Sequence, residues 1–136
     1  MAFVHDRWRD DSDVLERSLE AAGRLLMSGM FVSGGWDAFK APAQRASKAA
    51  AIGIPFPDLA TRANGAAMLV CGLALGAGVA VQPAAAVLAM SLVPTTIAGH
   101  AFWKEEDPKA RAGQRIHFLK NLAMLGGLLV LLSKRR

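Results

Sequence analysis

Between Arg62 and Lys104 the chain carries no formal charge at any of 41 consecutive positions, Ala63 to Trp103. As one straight helix, at ~1.5 Å per residue, that run would be roughly 60 Å long, twice the ~30 Å hydrocarbon core of a bilayer. It therefore has to fold back on itself, and Gln82-Pro83 near its middle is the expected turn. Each half is then long enough for one crossing, at about 62–81 and about 83–103.

The same arithmetic extends to the rest of the chain. A second apolar run ends where Lys134-Arg135-Arg136 begins and predicts a span at about 116–133. Near the other end the uncharged stretch Leu25–Trp36 has only 12 residues, too few to cross unaided. It reaches membrane length, at about 19–39, only if Arg24 snorkels at one interface while Asp37 and Lys40 sit at the other beside Trp36. Residues 1–18 read as a polar arm that Ser12 or Asp13 caps at a helix start, and 134–136 as a basic tail. Between the first two spans, Ala41–Ala51 predicts a short surface helix. Gly53-Ile54-Pro55-Phe56-Pro57 then breaks the helix, and Asp58 is placed to cap the next one. The expected fold is all-α: an integral membrane four-helix transmembrane bundle with one membrane domain at 19–133.

Composition narrows the function. Charged residues make up 20% of the chain, against about 25% in a typical soluble domain, and the mean hydropathy is +0.28. The net charge of +5 would point to nucleic acid in a soluble protein, but here the charges flank apolar runs. With no Tyr, six Phe and three Trp, no stacking platform for bases is visible. The single Cys71 excludes an intrachain disulfide and dithiol chemistry, and lies in an apolar run where a thiol is inert. Gly-x-Ser-x-Gly, a P-loop and His-Glu-x-x-His are all absent, as is a compact set of zinc ligands. A small multidrug-type transporter would need a buried acidic residue in its first span, and Leu25–Trp36 has none.

With four antiparallel spans, Asp37, His100, Trp103, His117, Lys120 and Asn121 gather at one end of the bundle. Lys120 is the most informative of them, because 13 uncharged residues follow it and a charge so placed must pair, snorkel or serve a function. His117, Lys120 and Asn121 fall at i, i+3 and i+4 on one helix face. Asp37 is the expected counter-ion of Lys120. One reading is an interfacial anchor with a structural ion pair. The other is a polar pocket whose ammonium, imidazole and indole N–H groups suit the two carbonyl oxygens of a quinone headgroup, with its apolar tail running along the helices. No other cofactor is expected, and no metal. The loop residues Lys40, Arg45, Lys48, Lys104, Glu105, Glu106 and Asp107 form a charged rim on which a soluble partner could dock.

The segments Pro94-Thr-Thr-Ile-Ala-Gly-His100-Ala-Phe-Trp103 and Gln114-Arg-Ile-His117-Phe-Leu-Lys120-Asn121-Leu resemble the DoxX family of small bacterial membrane proteins. Arg24 to Gly29, Phe31, Gly34, the Gly53–Pro57 loop and the Gly72–Gly76 region extend the resemblance over roughly 20–133. It implies four helices in the bacterial inner membrane and a subunit of a redox or oxidative-stress-linked assembly, because relatives include a subunit of a thiosulfate:quinone oxidoreductase. The implied partners are the lipid bilayer, possible further copies of the chain and a soluble redox enzyme, with the alternative of a non-catalytic membrane scaffold. Many relatives carry an acidic residue in the second span; Ala63–Val81 has none, which weakens a proton path through that helix.

Overall fold

The computed structural model describes the backbone from Ala2 to Lys134 and the side chains from residue 11 to residue 134. Arg135 and Arg136 of the expected basic tail, and the side chains of the first ten residues of the expected arm, lie outside this description. Among the described residues the chain is entirely helical: α1 (Ala2–Lys40), α2 (Ala43–Ala51), α3 (Pro57–Ala77), α4 (Val81–Gly99), a 3-10 turn (Phe102–Lys104) and α5 (Pro108–Ser133). There are thus five α-helices where four spans were expected. The fifth is α2, the expected short surface helix, which follows α1.

Three described segments are long and apolar enough to cross a membrane: Pro57–Ala77, Val81–Lys104 and Pro108–Ser133. The α1 helix does not join them on composition, since Glu20, Arg24, Asp37 and Lys40 crowd its 12 uncharged residues. It also runs unbroken through the polar arm, so no cap at Ser12 or Asp13 interrupts it.

The turn in the long uncharged run falls at Gly78–Ala80, a few residues before Gln82-Pro83. Gly78 (φ +72°) ends α3 in the left-handed conformation, with its N–H 3.2 Å from the Leu75 carbonyl and that of Val79 2.9 Å from the Ala74 carbonyl. Ala80 (φ +47°) is also left-handed. Pro83 lies inside the first turn of α4, where a missing N–H leaves no hydrogen bond unmade. The same logic sets two other helix starts. Pro57 opens α3, so Asp58 sits inside its first turn and is not the cap. Asp107 caps α5, its Oδ2 accepting from the Ala110 N–H at 2.7 Å, with Pro108 next in line. Eight of the twelve positions from 104 to 115 are therefore in α5.

The long helices pack in series, α1 on α3, α3 on α4 and α4 on α5, while α1 and α5 are not a closely packed pair. Each of the four places one fully buried side chain in the core: Phe31, Leu75, Leu88 and Leu128. The α1–α3 contact is the tightest. A Cβ on Gly35 would stand 2.7 Å from the Gly65 carbonyl oxygen, and one on Gly65 would stand 2.7 Å from the Gly35 carbonyl oxygen. Further along, Gly72 packs on Phe31 and Val32, Gly76 packs on Ser28, and Ser28 Oγ donates to the Gly72 carbonyl at 2.7 Å. Small residues permit such backbone approach between helices in lipid.

At the end of the bundle that holds the α3–α4 turn, Lys134 pairs with Glu20, and Gln82 Nε2 donates to the Lys134 carbonyl. Beside them, a Cβ on Gly127 would stand 3.1 Å from the Met27 sulfur. Here α1, α4 and α5 are fastened together.

Replacing Gly65 by Ala should destabilise the protein by about 1–3 kcal/mol, because backbone on the facing helix must move. Gly126→Ala meets open space and should leave stability unchanged. Thermal unfolding of both variants in the same detergent checks this.

Candidate functional site

The end of the bundle opposite the Glu20–Lys134 pair is covered by α2. Ala46 and Ala49 of α2 are buried against α3 and α4, and Lys48 Nζ donates to the Gly99 carbonyl at 3.2 Å. On the neighbouring edge, Arg62 Nη1 donates to the Phe39 carbonyl at 2.6 Å and ties the start of α3 to the end of α1. Beneath α2 lies a cavity of about 410 Å³ with walls from all five helices.

Its apolar wall includes Met30, Phe31 and Gly34 of α1, Met68 of α3, Leu92 of α4 and Met124 of α5. Its polar groups are Arg45, Thr61, Asn64, Thr95, His100, Lys120 and Asn121. Among the described residues no Asp or Glu lines it.

The polar wall is built around Pro94. A proline within a helix has no N–H to give to the carbonyl four residues back, and the local backbone is loosened. The neighbouring threonines bond carbonyls in the same turn: Thr95 Oγ1 to Ser91, and Thr96 Oγ1 to Leu92 at 2.6 Å. Two amides then cross between helices. Ser91 Oγ donates to Asn64 Oδ1 at 2.5 Å, joining α4 to α3, and Asn121 Nδ2 donates to Thr96 Oγ1 at 3.0 Å, joining α5 to α4. Both bonds lie where lipid could not satisfy the groups instead.

His100 closes α4. Its backbone N–H bonds the Thr96 carbonyl at 2.9 Å, and its ring Nδ1 lies 2.8 Å from Gln114 Oε1. An amide oxygen only accepts, so Nδ1–H is the donor and Nε2 of the neutral ring is left as an acceptor. The ring of His117 stacks on that of His100 with centroids 5.2 Å apart and planes 23° apart.

Of the six residues expected to form the pocket, three line the cavity: His100, Lys120 and Asn121. Asn121 is buried, while Lys120 is exposed at the cavity edge. His117 touches the site only through the His100 ring. Trp103 lies outside the cavity, in an edge-to-face trio with Phe102 at 5.2 Å and Phe118 at 5.8 Å. Asp37 is exposed and makes no ion pair with Lys120; its neighbour Ala38 is the residue that faces inward. The expected Asp37–Lys120 pair is thus not formed, and among the described residues no carboxylate pairs with Lys120.

The charged rim also divides. Arg45 lines the cavity, Lys48 anchors α2, Asp107 caps α5, and the Glu105 carbonyl accepts from Arg111 Nε at 2.9 Å. Lys40, Lys104 and Glu106 are exposed.

Sequence reasoning missed Thr61, Asn64 and Thr95. Asn64 carried a readable signal, as the one amide in the first half of the uncharged run. It also missed a second polar cavity of about 390 Å³ at the opposite end, where Glu16, Glu20, Arg24, Gln82 and Lys134 meet and Arg24 Nε is buried without a hydrogen-bond partner. Glu20 and Arg24 at i, i+4 were its only trace in the sequence.

A protein-family model described as DoxX matches residues 19–101. The match takes in the apolar half of α1 and all of α2, α3 and α4, and stops before α5. His117, Lys120 and Asn121 therefore rest on geometry, outside the matched segment. Neither the curated proteins nor the solved structures yield a match.

The Asn121–Thr96 bond generates a quantitative expectation. In a double-mutant cycle of Asn121→Leu and Thr96→Val, the coupling energy should be about 0.6 kcal/mol and no more than about 1.7 kcal/mol, the mean and the maximum for interhelical hydrogen bonds in a membrane protein. Unfolding of the four proteins in detergent measures it.

Proposed function

The chain belongs to the DoxX family, whose model matches more than half of it, and on that premise we propose that it is a multi-pass subunit of a redox-linked assembly in the bacterial inner membrane, holding a quinone headgroup in the cavity beneath α2. In this reading the apolar half of α1 is the fourth span, carried into the bilayer by its packing on α3.

One observation carries the proposal: among the described residues the cavity offers Arg45, Lys120, Asn121 and His100 and no carboxylate, opposite a wall of apolar side chains. A quinone presents two carbonyl oxygens and no donor, so it needs donors and is repelled by acids. The cavity volume suits a single ring with its substituents. Lys120 and Arg45 are the donors to oxygen. His100, with Nδ1–H committed to Gln114, has Nε2 left to accept a hydrogen bond from a hydroxyl of the reduced form. A quinone, when bound, would supply two-electron chemistry; the chain's own groups supply orientation and hydrogen bonds to its oxygens.

The competing reading is a scaffold that docks a soluble protein on the exposed charges Lys40, Lys104 and Glu106. Lys120→Met separates the two. It keeps the length of the side chain and removes its charge, so the fold should survive while quinone co-purifying from native membranes falls to background. Charge reversal at Lys104 and Glu106 should leave the quinone in place. Mass spectrometry of the mildly solubilised protein reads quinone and bound proteins together. Wild-type protein that carries a soluble partner and no quinone, with the partner lost only on charge reversal, would replace this reading with the scaffold.

A further inference from the structure

The serial packing of the helices leaves one side of the bundle without a closely packed helix pair, the seam between α1 and α5. Its two ends differ. At the Glu20–Lys134 end the seam is shut by that ion pair and by Met27 against Gly127, with Leu128 fully buried behind them. At the cavity end its lips are Met30 and Gly34 on α1 and Met124 on α5, and all three line the cavity. Met30 is 45% exposed although it belongs to the cavity wall, so that wall is also outer surface. The Gly34 Cβ position meets nothing nearer than the Met68 methyl at 3.5 Å, so no side chain bars the gap from α1.

A membrane-embedded bundle presents this seam to acyl chains. Above the cavity the route from water is covered by α2, held down by Lys48 on the Gly99 carbonyl. From these facts we propose that the cavity is loaded sideways from the bilayer, through the gap between α1 and α5. It then selects a molecule with a hydrocarbon tail: the oxygen-rich headgroup sits among Lys120, His100 and Asn121, and the tail leaves between Met30 and Met124. This rests on the headgroup assignment above and adds to it the route and the requirement for a tail.

Tryptophan quenching tests the two independently. In a background with the native tryptophans replaced by Phe, Met124→Trp reports on the seam and Leu128→Trp, one turn along, on the closed end. In vesicles of phosphatidylcholine brominated along its acyl chains, Met124→Trp should be quenched several-fold more than Leu128→Trp. Adding Gly34→Phe, which fills the gap, should bring the two together. Met30→Trp on the facing lip is the second reporter should Met124→Trp not fold. Equal quenching at the two positions, or quenching at position 124 that Gly34→Phe leaves unchanged, overturns lateral loading.

In unbrominated vesicles, quinones with and without an isoprenoid tail then act as the quenchers. Stronger quenching of Met124→Trp by the tailed quinone, lost with Gly34→Phe, supports the proposal. Equal quenching by both, unaffected by Gly34→Phe, overturns it while leaving the headgroup reading intact. Bromolipid quenching without any quinone effect keeps the lateral opening and removes the quinone.

Discussion

The approach of Gly35 to Gly65 is the contact from which the rest of the arrangement follows. Lipid provides no hydrophobic drive for one helix to join another, so association depends on close packing and interhelical hydrogen bonds. The α1 helix has more charge than a free-standing span tolerates. It gains its place through a glycine-lined face on α3, reinforced by Ser28 on the Gly72 carbonyl and by Arg62 on the Phe39 carbonyl. With α1 committed to α3, and α4 to both α3 and α5, the fourth side of the bundle is left without a matching surface. The chamber is the space this leaves at one end, and the polar groups of α4 and α5 decorate it.

Those polar groups belong to one connected layer. Asn64 on α3 bonds Ser91 on α4, Thr96 on α4 bonds Asn121 on α5, and all four lie within a turn or two of Pro94. Beside the proline, the Thr95 and Thr96 hydroxyls bond the Ser91 and Leu92 carbonyls, and the Thr96 hydroxyl also accepts from the Asn121 amide of the neighbouring helix.

Much of this was legible in the residues, and the failures have physical causes. The hairpin was forced by the length of the uncharged run, and the short surface helix followed from its composition and the Gly53–Pro57 break. The turn was misplaced by a few residues because proline fits the first turn of a helix as readily as a loop, while Gly78 and Ala80 supply the left-handed geometry that reverses the chain. Lys120 and Asn121 were readable because depth in a span is a one-dimensional property. Asp37 failed because azimuth is not: one residue further along, Ala38 faces inward and the carboxylate faces out. Arg45 was assigned to the rim because nothing local records that α2 folds back over α3 and α4.

Seen as a mechanical part, the bundle is two leaves, α1 with α3 and α4 with α5, joined along α3–α4 and clipped together at one tip by Glu20, Lys134 and Gln82. Leaves clipped at one tip yield most at the other, and that is where the chamber lies. The load is the sideways pressure of the surrounding bilayer, which varies with depth, thickness and lipid shape. The volume of the chamber is therefore the dimension of this protein most responsive to the membrane that contains it, and a change in lipid composition would be felt there before it reached the glycine-packed face.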